Sequence, residues 1–255
     1  TMGLWGGYMP LGTALAIACG PVAIGLLGWR LWWLTPALVT AAMALWVYLA
    51  VAPDPVLATG PVDSAASHDG PLVARLAWLQ RVGRTLGAPG PWLVGCCFAL
   101  YAAQWLAVIG FLPSMAGQAG ASSPDMALLL ALVALVNIIG NVASGRLLQR
   151  GAPPQRLLVV GFATMAVTAV LAFADVPWIG DPQGNLLLRY LAVVMFSTVG
   201  GLIPGTLFSL AVRLAPDEGS VSTTVGWMQQ LSSFGQFVGP PVVAWVAAQA
   251  GGWQW

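Results

Sequence analysis

Uncharged polar side chains stand at helical spacing within long apolar runs of this chain. Tyr101, Gln104 and Trp105 share one run and are read as one face. Asn137, Asn141 and Ser144 follow at i, i+4 and i+7 in the next, which aligns them along a helix. Gln229, Ser233 and Gln236 repeat the pattern nearer the C-terminus. Ser197, Thr198 and Ser209 surround Gly200-Gly201 and Pro204-Gly205, a natural bend. An amide or hydroxyl donates and accepts hydrogen bonds without a permanent charge to desolvate. In an apolar medium such groups either line a cavity or join neighbouring helices. A helix-to-helix bond of this kind contributes about 0.6 kcal/mol on average. Both uses fit Gln104 and Gln229, while Asn141 and Ser144, close to the end of their run, suit packing. Tyr101, Gln104 and Trp105 together suit a small planar or anionic solute, held by hydrogen bonds and stacking.

Catalytic chemistry has little to work with. No Asp or Glu falls inside an apolar run; Asp125 and Asp175 stand at run ends, and Arg189 opens another. A carboxylate for proton coupling is therefore not visible in these runs. The single His68 lies in a polar stretch, so no cluster of His and carboxylates is expected to hold a metal or to catalyse a reaction at depth. Neither an enzyme activity nor a cofactor is expected. The chain contains no Lys and hence no Gly-x-x-x-x-Gly-Lys loop for ATP. Cys19, Cys96 and Cys97 are too few for a disulfide scaffold and read as small buried apolar residues.

The elements that must position these groups follow from composition. The chain has 255 residues, of which 7% are charged and 58% hydrophobic. A soluble domain carries about 25% charged residues, so a water-facing surface cannot be built here. The formal net charge of +1 offers no field for nucleic acid. Seven windows run without a charge: 1–29, 31–53, 85–124, 126–145, 157–174, 190–212 and 219–255. Each is long enough for one helix across a hydrocarbon core of about 30 Å. The expected fold is an all-α membrane protein with seven transmembrane helices. Strands of a barrel would alternate polar and apolar residues, and these windows do not. Trp5, Trp29, Trp32, Trp33, Trp92, Trp178, Trp253 and Trp255 lie near window ends, where an indole prefers the interface.

Connections on the side of Thr1 carry Arg75, Arg81, Arg84, Arg146, Arg150, Arg156 and Arg213; the other side has Arg30 and Arg189. The positive-inside rule puts the first side in the cytoplasm of a multi-pass plasma (inner) membrane protein. Three units result: 1–52, the linker 53–91 and 92–255. The first half of the linker is rich in Pro, Asp, Ala and Ser and reads as flexible. In its second half Leu72, Val73, Leu76, Leu79 and Leu86 gather toward one helical face, opposite Arg81 and Arg84. That pattern fits a helix on the membrane surface or a solvated linker helix. Both chain ends read as cut.

Gly20-Pro21 in the first window is echoed by Gly239-Pro240 in the seventh. Pro inside a helix removes a hydrogen bond and bends it, and Gly beside it admits a close neighbour. Gly235 and Gly239 form a G-x-x-x-G face; Ala16 and Gly20 hold the same register in the first window. A pattern shared by windows one and seven suggests a six-span repeat, as in one large class of secondary transporter.

The run from Gly20 and Pro21 to Gly25 resembles the fifth-helix motif G-x-x-x-G-P-x-x-G-G of the major facilitator superfamily, departing at Ala16 and Ile24. Gly28-Trp29-Arg30 resembles the outer end of that helix. The connection Gly145–Gly151, with Arg146 and Arg150, resembles a second copy of the family's cytoplasmic loop motif. Gln149 stands where Asp is usual, which leaves out the ion pair built on that Asp. Tyr101–Trp105, ending in Phe111-Leu112-Pro113, resembles the cyanate-permease branch.

The resemblance implies helices five to eleven of a twelve-helix, two-half fold. Residues 1–52 would be the last two helices of the N-terminal half, 53–91 the cytoplasmic link, and 92–255 the C-terminal half without its last helix. It implies a permease moving a small solute by alternating access, completed by the missing helices of the same polypeptide. Substrate-binding candidates are Tyr101, Gln104, Trp105, Asn137, Ser197, Gln229, Ser233 and Gln236. Gly20, Pro21, Gly25, Gly235, Gly239 and Pro240 would pack and bend helices. A membrane subunit of an ATP-driven importer is the alternative, and an intramembrane enzyme a further one.

Overall fold

The computed structural model describes residues 6–51, 70–118, 124–173 and 182–249. All regular structure in these residues is helical. His68, Trp5, Trp178, Trp253 and Trp255, and the first half of the linker, read from sequence as flexible, lie outside them. The helices are α1 Tyr8–Ala50, α2 Gly70–Gly87, α3 Pro89–Gln118, α4 Pro124–Gln149, α5 Pro154–Phe173, α6 Pro182–Gly200, α7 Leu202–Leu214 and α8 Val221–Gln249. A short 3-10 turn, Glu218–Ser220, precedes α8. Four helices open on Pro, the residue whose missing N–H costs nothing in a first helical turn. After α4 the chain reverses at Gly151, whose φ of 85° is the left-handed conformation that glycine adopts without strain.

Six helices are long and apolar enough to cross a membrane. The seven expected windows become six because the first two fall in one 43-residue element, α1. At about 1.5 Å per residue a straight helix of that length would run about 65 Å, twice a hydrocarbon core. The element is broken at Gly28, with φ 78° and ψ 159°, a region open essentially to Gly alone. A Cβ placed on Gly20 would lie 3.9 Å from Cζ2 of Trp32. Twelve residues of straight helix would hold these positions about 18 Å apart, so the chain turns back at Gly28. The turn falls where the first window was expected to end, at Gly28-Trp29-Arg30, while the helix runs through Pro21, where a bend was expected, with helical dihedrals. Helix α8 likewise runs through Pro240 and Pro241. At the other expected bend, only Gly201 separates α6 from α7, and Leu186–Leu214 forms one apolar span.

Small residues decide which helices touch. In α3 and α8, a Cβ on Gly235 would strike the Ala99 backbone, and one on Gly239 would lie 2.7 Å from Cα of Ala103. Gly95 in turn faces Leu231. In α4 and α6–α7, Gly140 lies against Thr198 and Gly201, and Gly205 against Ser144. Gly161 on α5 meets Ile203 of α7. Within a bilayer, lipid is as apolar as Leu, so close backbone approach rather than hydrophobicity selects partners. Val94, Met165, Phe196, Ile203, Leu207 and Met228 fill the centre of this bundle.

The cysteines correct the sequence reading. Cys19 and Cys96 are exposed and Cys97 is only half-buried. A helix whose surroundings are hydrocarbon can carry small apolar groups outward at no cost, so apolar character here does not imply burial in protein.

Candidate functional site

Helix α3 brings Tyr101 and Trp105 inward one turn apart, and both are buried. Asn137 of α4 is 1% exposed and makes three hydrogen bonds across helices, two with Tyr101 and one with Ser197, the partner of Trp105. Its Nδ2 donates to the Tyr101 hydroxyl at 3.0 Å and to the Ser197 carbonyl at 2.8 Å, while the Tyr101 hydroxyl donates to its Oδ1 at 3.3 Å. The Trp105 indole N–H donates to the Ser197 hydroxyl at 3.3 Å. Three helices, α3, α4 and α6, are thus tied by one uncharged network. Asn141 Nδ2 extends it to Asn137 Oδ1 at 2.9 Å. Ser144 donates to the Asn141 carbonyl at 2.7 Å. Both Asn141 and Ser144 are fully buried against α7, the packing placement their position suited.

In front of this network lies a cavity of about 170 Å³. Tyr101, Trp105 and Asn137 form one side of it, together with Phe98 and Phe208. The rings of Phe98 and Tyr101 are near-parallel, with centroids 6.1 Å apart, and Phe208 meets Phe98 edge-on at 5.8 Å. Helix α8 contributes Gln229, Ser232, Ser233 and Gln236, with Gln236 Nε2 donating to the Ser232 hydroxyl at 3.3 Å. The start of α1, including Tyr8 and Pro10, closes another side. Aromatic faces, three amides and hydroxyls thus converge on a space the size of a small solute.

Gln104 does not join them. It is exposed and borders a second cavity, about 490 Å³, among Val108, Phe111, Phe173, Phe196 and Val243. The reason is rotation: each residue advances about 100° along a helix, so Gln104 is turned away from Trp105 although both are one turn or less from Tyr101. The assignment of Tyr101, Gln104 and Trp105 to a single face is therefore corrected. Ser197 is fully buried behind Trp105, away from the cavity wall. Thr198 and Ser209 bond back to the carbonyls of Val194 and Gly205 one turn earlier.

The glycines divide as well. Gly235 and Gly239 are pressed by α3, and Pro240 follows within α8. Gly20, ahead of Pro21, meets only Trp32 at van der Waals distance, and nothing lies within 4 Å of a Cβ on Gly25. Arg146 and Arg150 are exposed at the α4–α5 turn. Phe98, Phe208 and Ser232 were not singled out from sequence. Phe98 precedes Tyr101 by three residues and Ser232 follows Gln229 by three, so helical spacing could have found both. Phe208 carried no comparable signal.

Outside the spans, Asp217 caps the turn before α8. It accepts from the Ser220 hydroxyl at 2.8 Å and pairs with Arg84 of α2 at 2.8 Å. The Ser220 bond is the largest cause holding its carboxyl below the usual carboxylate range; desolvation opposes it, and Arg84 adds to the lowering.

Long apolar helices, packed through small residues around an uncharged polar cavity, define a multi-span helical membrane protein with a cavity between its helices. The family model of the Major Facilitator Superfamily matches residues 1–240. The chain belongs to that superfamily and is a secondary transporter of its type. Comparison with curated proteins and with solved structures yields no match.

Proposed function

We propose that the protein moves a small solute by alternating access, binding it in the cavity between α1, α3, α4, α7 and α8. The convergence of Tyr101, Trp105 and Asn137 with Gln229, Ser233 and Gln236 on one space carries this reading. The aromatic side offers stacking, and the amides of α8 offer a donor and an acceptor without a fixed charge. Asn137 and Ser197 hold the Tyr101 hydroxyl and the Trp105 indole in place. Cyanate is the first solute to assay, since Tyr101–Trp105 resembles that permease branch. The protein would sit in the plasma (inner) membrane with 53–91 in the cytoplasm, completed by further helices of the same polypeptide.

The test is uptake and equilibrium binding with the full-length protein, the solute found by screening a radiolabelled library in proteoliposomes. Gln236→Ala and Tyr101→Phe should each weaken binding by about 1–3 kcal/mol, the scale of a buried group left unpaired. Gln104→Ala, on the other cavity, should leave affinity unchanged. Normal affinity in both cavity variants, with lowered melting temperature, would assign these groups to helix packing instead.

A further inference from the structure

Helix α2 leaves one flank bare. Trp78 is 52% exposed, Leu79 48% and Leu86 40%. Leu79 and Leu86 are seven residues apart and share a face, with Trp78 at its border. The other flank is fastened to the protein. Arg84 pairs with Asp217 at 2.8 Å, and the Thr85 hydroxyl lies 2.6 Å from that of Thr223 at the start of α8.

Connectivity fixes the depth of the bare flank. Helix α2 ends at Gly87 and the span α3 begins at Pro89. Three residues of chain reach at most about 11 Å, so Leu86 cannot leave the mouth of that span. The Trp92 indole N–H donates to the Leu86 carbonyl at 2.9 Å, drawing Leu86 back beside the first turn of α3. The sequence of α2 contains three Arg and no acidic residue; with Arg84 paired to Asp217, the remaining positive charge complements anionic headgroups. A helix with an apolar stripe, a net positive charge and a fixed place at the mouth of a span meets the conditions for lying in the membrane interface.

We propose that α2 beds Trp78, Leu79 and Leu86 in the lipid at the membrane surface, while Arg84 and Thr85 hold it to the turn before α8. A second copy of the chain is the competing occupant; the bilayer is favoured because the adjoining span already fixes the flank at interface depth. The proposal is independent of which solute the cavity takes.

The test is site-directed spin labelling of the full-length protein in nanodiscs of phosphatidylethanolamine and phosphatidylglycerol. Cys19, Cys96 and Cys97 are replaced by Ala, and single cysteines are introduced as Leu79→Cys, Leu86→Cys and Gln80→Cys. Leu100→Cys, at an exposed position of α3, serves as the lipid-facing reference. Labels at 79 and 86 should show an oxygen-to-nickel-chelate accessibility ratio about threefold above that at 80, approaching the reference, as expected for side chains sunk about 5–10 Å into the interface. Labels at 79 and 86 as open to the nickel chelate as the label at 80 would overturn the proposal. So would labels shielded from both reagents, which would mark a protein contact.

Discussion

The α3–α8 pair is closely packed, whereas the second half of α1, also apolar, is exposed among the described residues. Between α3 and α8, Gly95, Ala99 and Ala103 face Leu231, Gly235 and Gly239 at backbone distance. From Trp29 to Ala50, α1 contains no glycine and is studded with Trp29, Trp32, Trp33, Trp46 and Tyr48. Nearly all of these residues are exposed, Tyr48 at 82%. Hydrophobicity takes a helix into the bilayer; small residues in register set how closely two helices approach there. Polar bonds add to the packed region, where Asn137 and Trp105 tie three helices, while in α1 beyond Gly28 the bonds among the described residues are local, such as Thr35 to the Leu31 carbonyl.

Bulk at a packed glycine should break this contrast most strongly. Gly239→Leu must push α8 off Ala103 and should cost about 3 kcal/mol, at the upper end for overpacking. Gly20→Leu, which meets only a movable Trp32 ring, should cost well under half of that, although both glycines precede proline. Thermal unfolding in detergent compares the two, and equal losses would mean that α3–α8 packing is no tighter than that of α1.

Asn137→Ala comes next. It strips the Tyr101 hydroxyl, the Ser197 carbonyl and Asn141 of a partner at once. A loss of about 2 kcal/mol is expected, against about 0.5 kcal/mol for Thr35→Ala on the unpacked half of α1. A denaturant titration that finds the two alike would remove the polar network from the account.

Gly28→Ala tests the turn that separates the halves of α1. Its φ of 78° is unfavourable for any residue with a Cβ, at about 1–2 kcal/mol. Nothing lies within 4 Å of a Cβ there, so the effect is conformational and not steric. The spacing between labels at positions 20 and 32, read by spin-label distance measurement, should lengthen or broaden.

The smallest effect lies at the surface clip between Asp217 and Arg84. The folded carboxyl titrates below its ordinary value, so its contribution is complete above the ordinary carboxylate range and lost as pH falls through the lowered value. Asp217→Asn should therefore lower the melting temperature slightly at neutral pH and leave it unchanged in strong acid. An equal difference at both pH values would show that ionisation of Asp217 plays no part.

Sequence alone located the apolar spans, because a run without charge has no alternative to hydrocarbon. It also located the α4 stripe, since i, i+4 and i+7 coincide on any helix: Asn137, Asn141 and Ser144 are all buried. The polar stretch of α8 likewise faces the cavity. Sequence did not separate Gln104 from Trp105, because two adjacent residues differ in facing only once the neighbours of the helix are known. The break at Gly28 lies where the sequence ended its first window, but sequence could not tell that the helix keeps helical dihedrals through Pro21, since proline permits a bend without requiring one. The close contact made by Gly239 and missing at Gly20 is likewise a property of the facing helix. Local pattern specifies which residues share a face; only tertiary packing decides what that face meets.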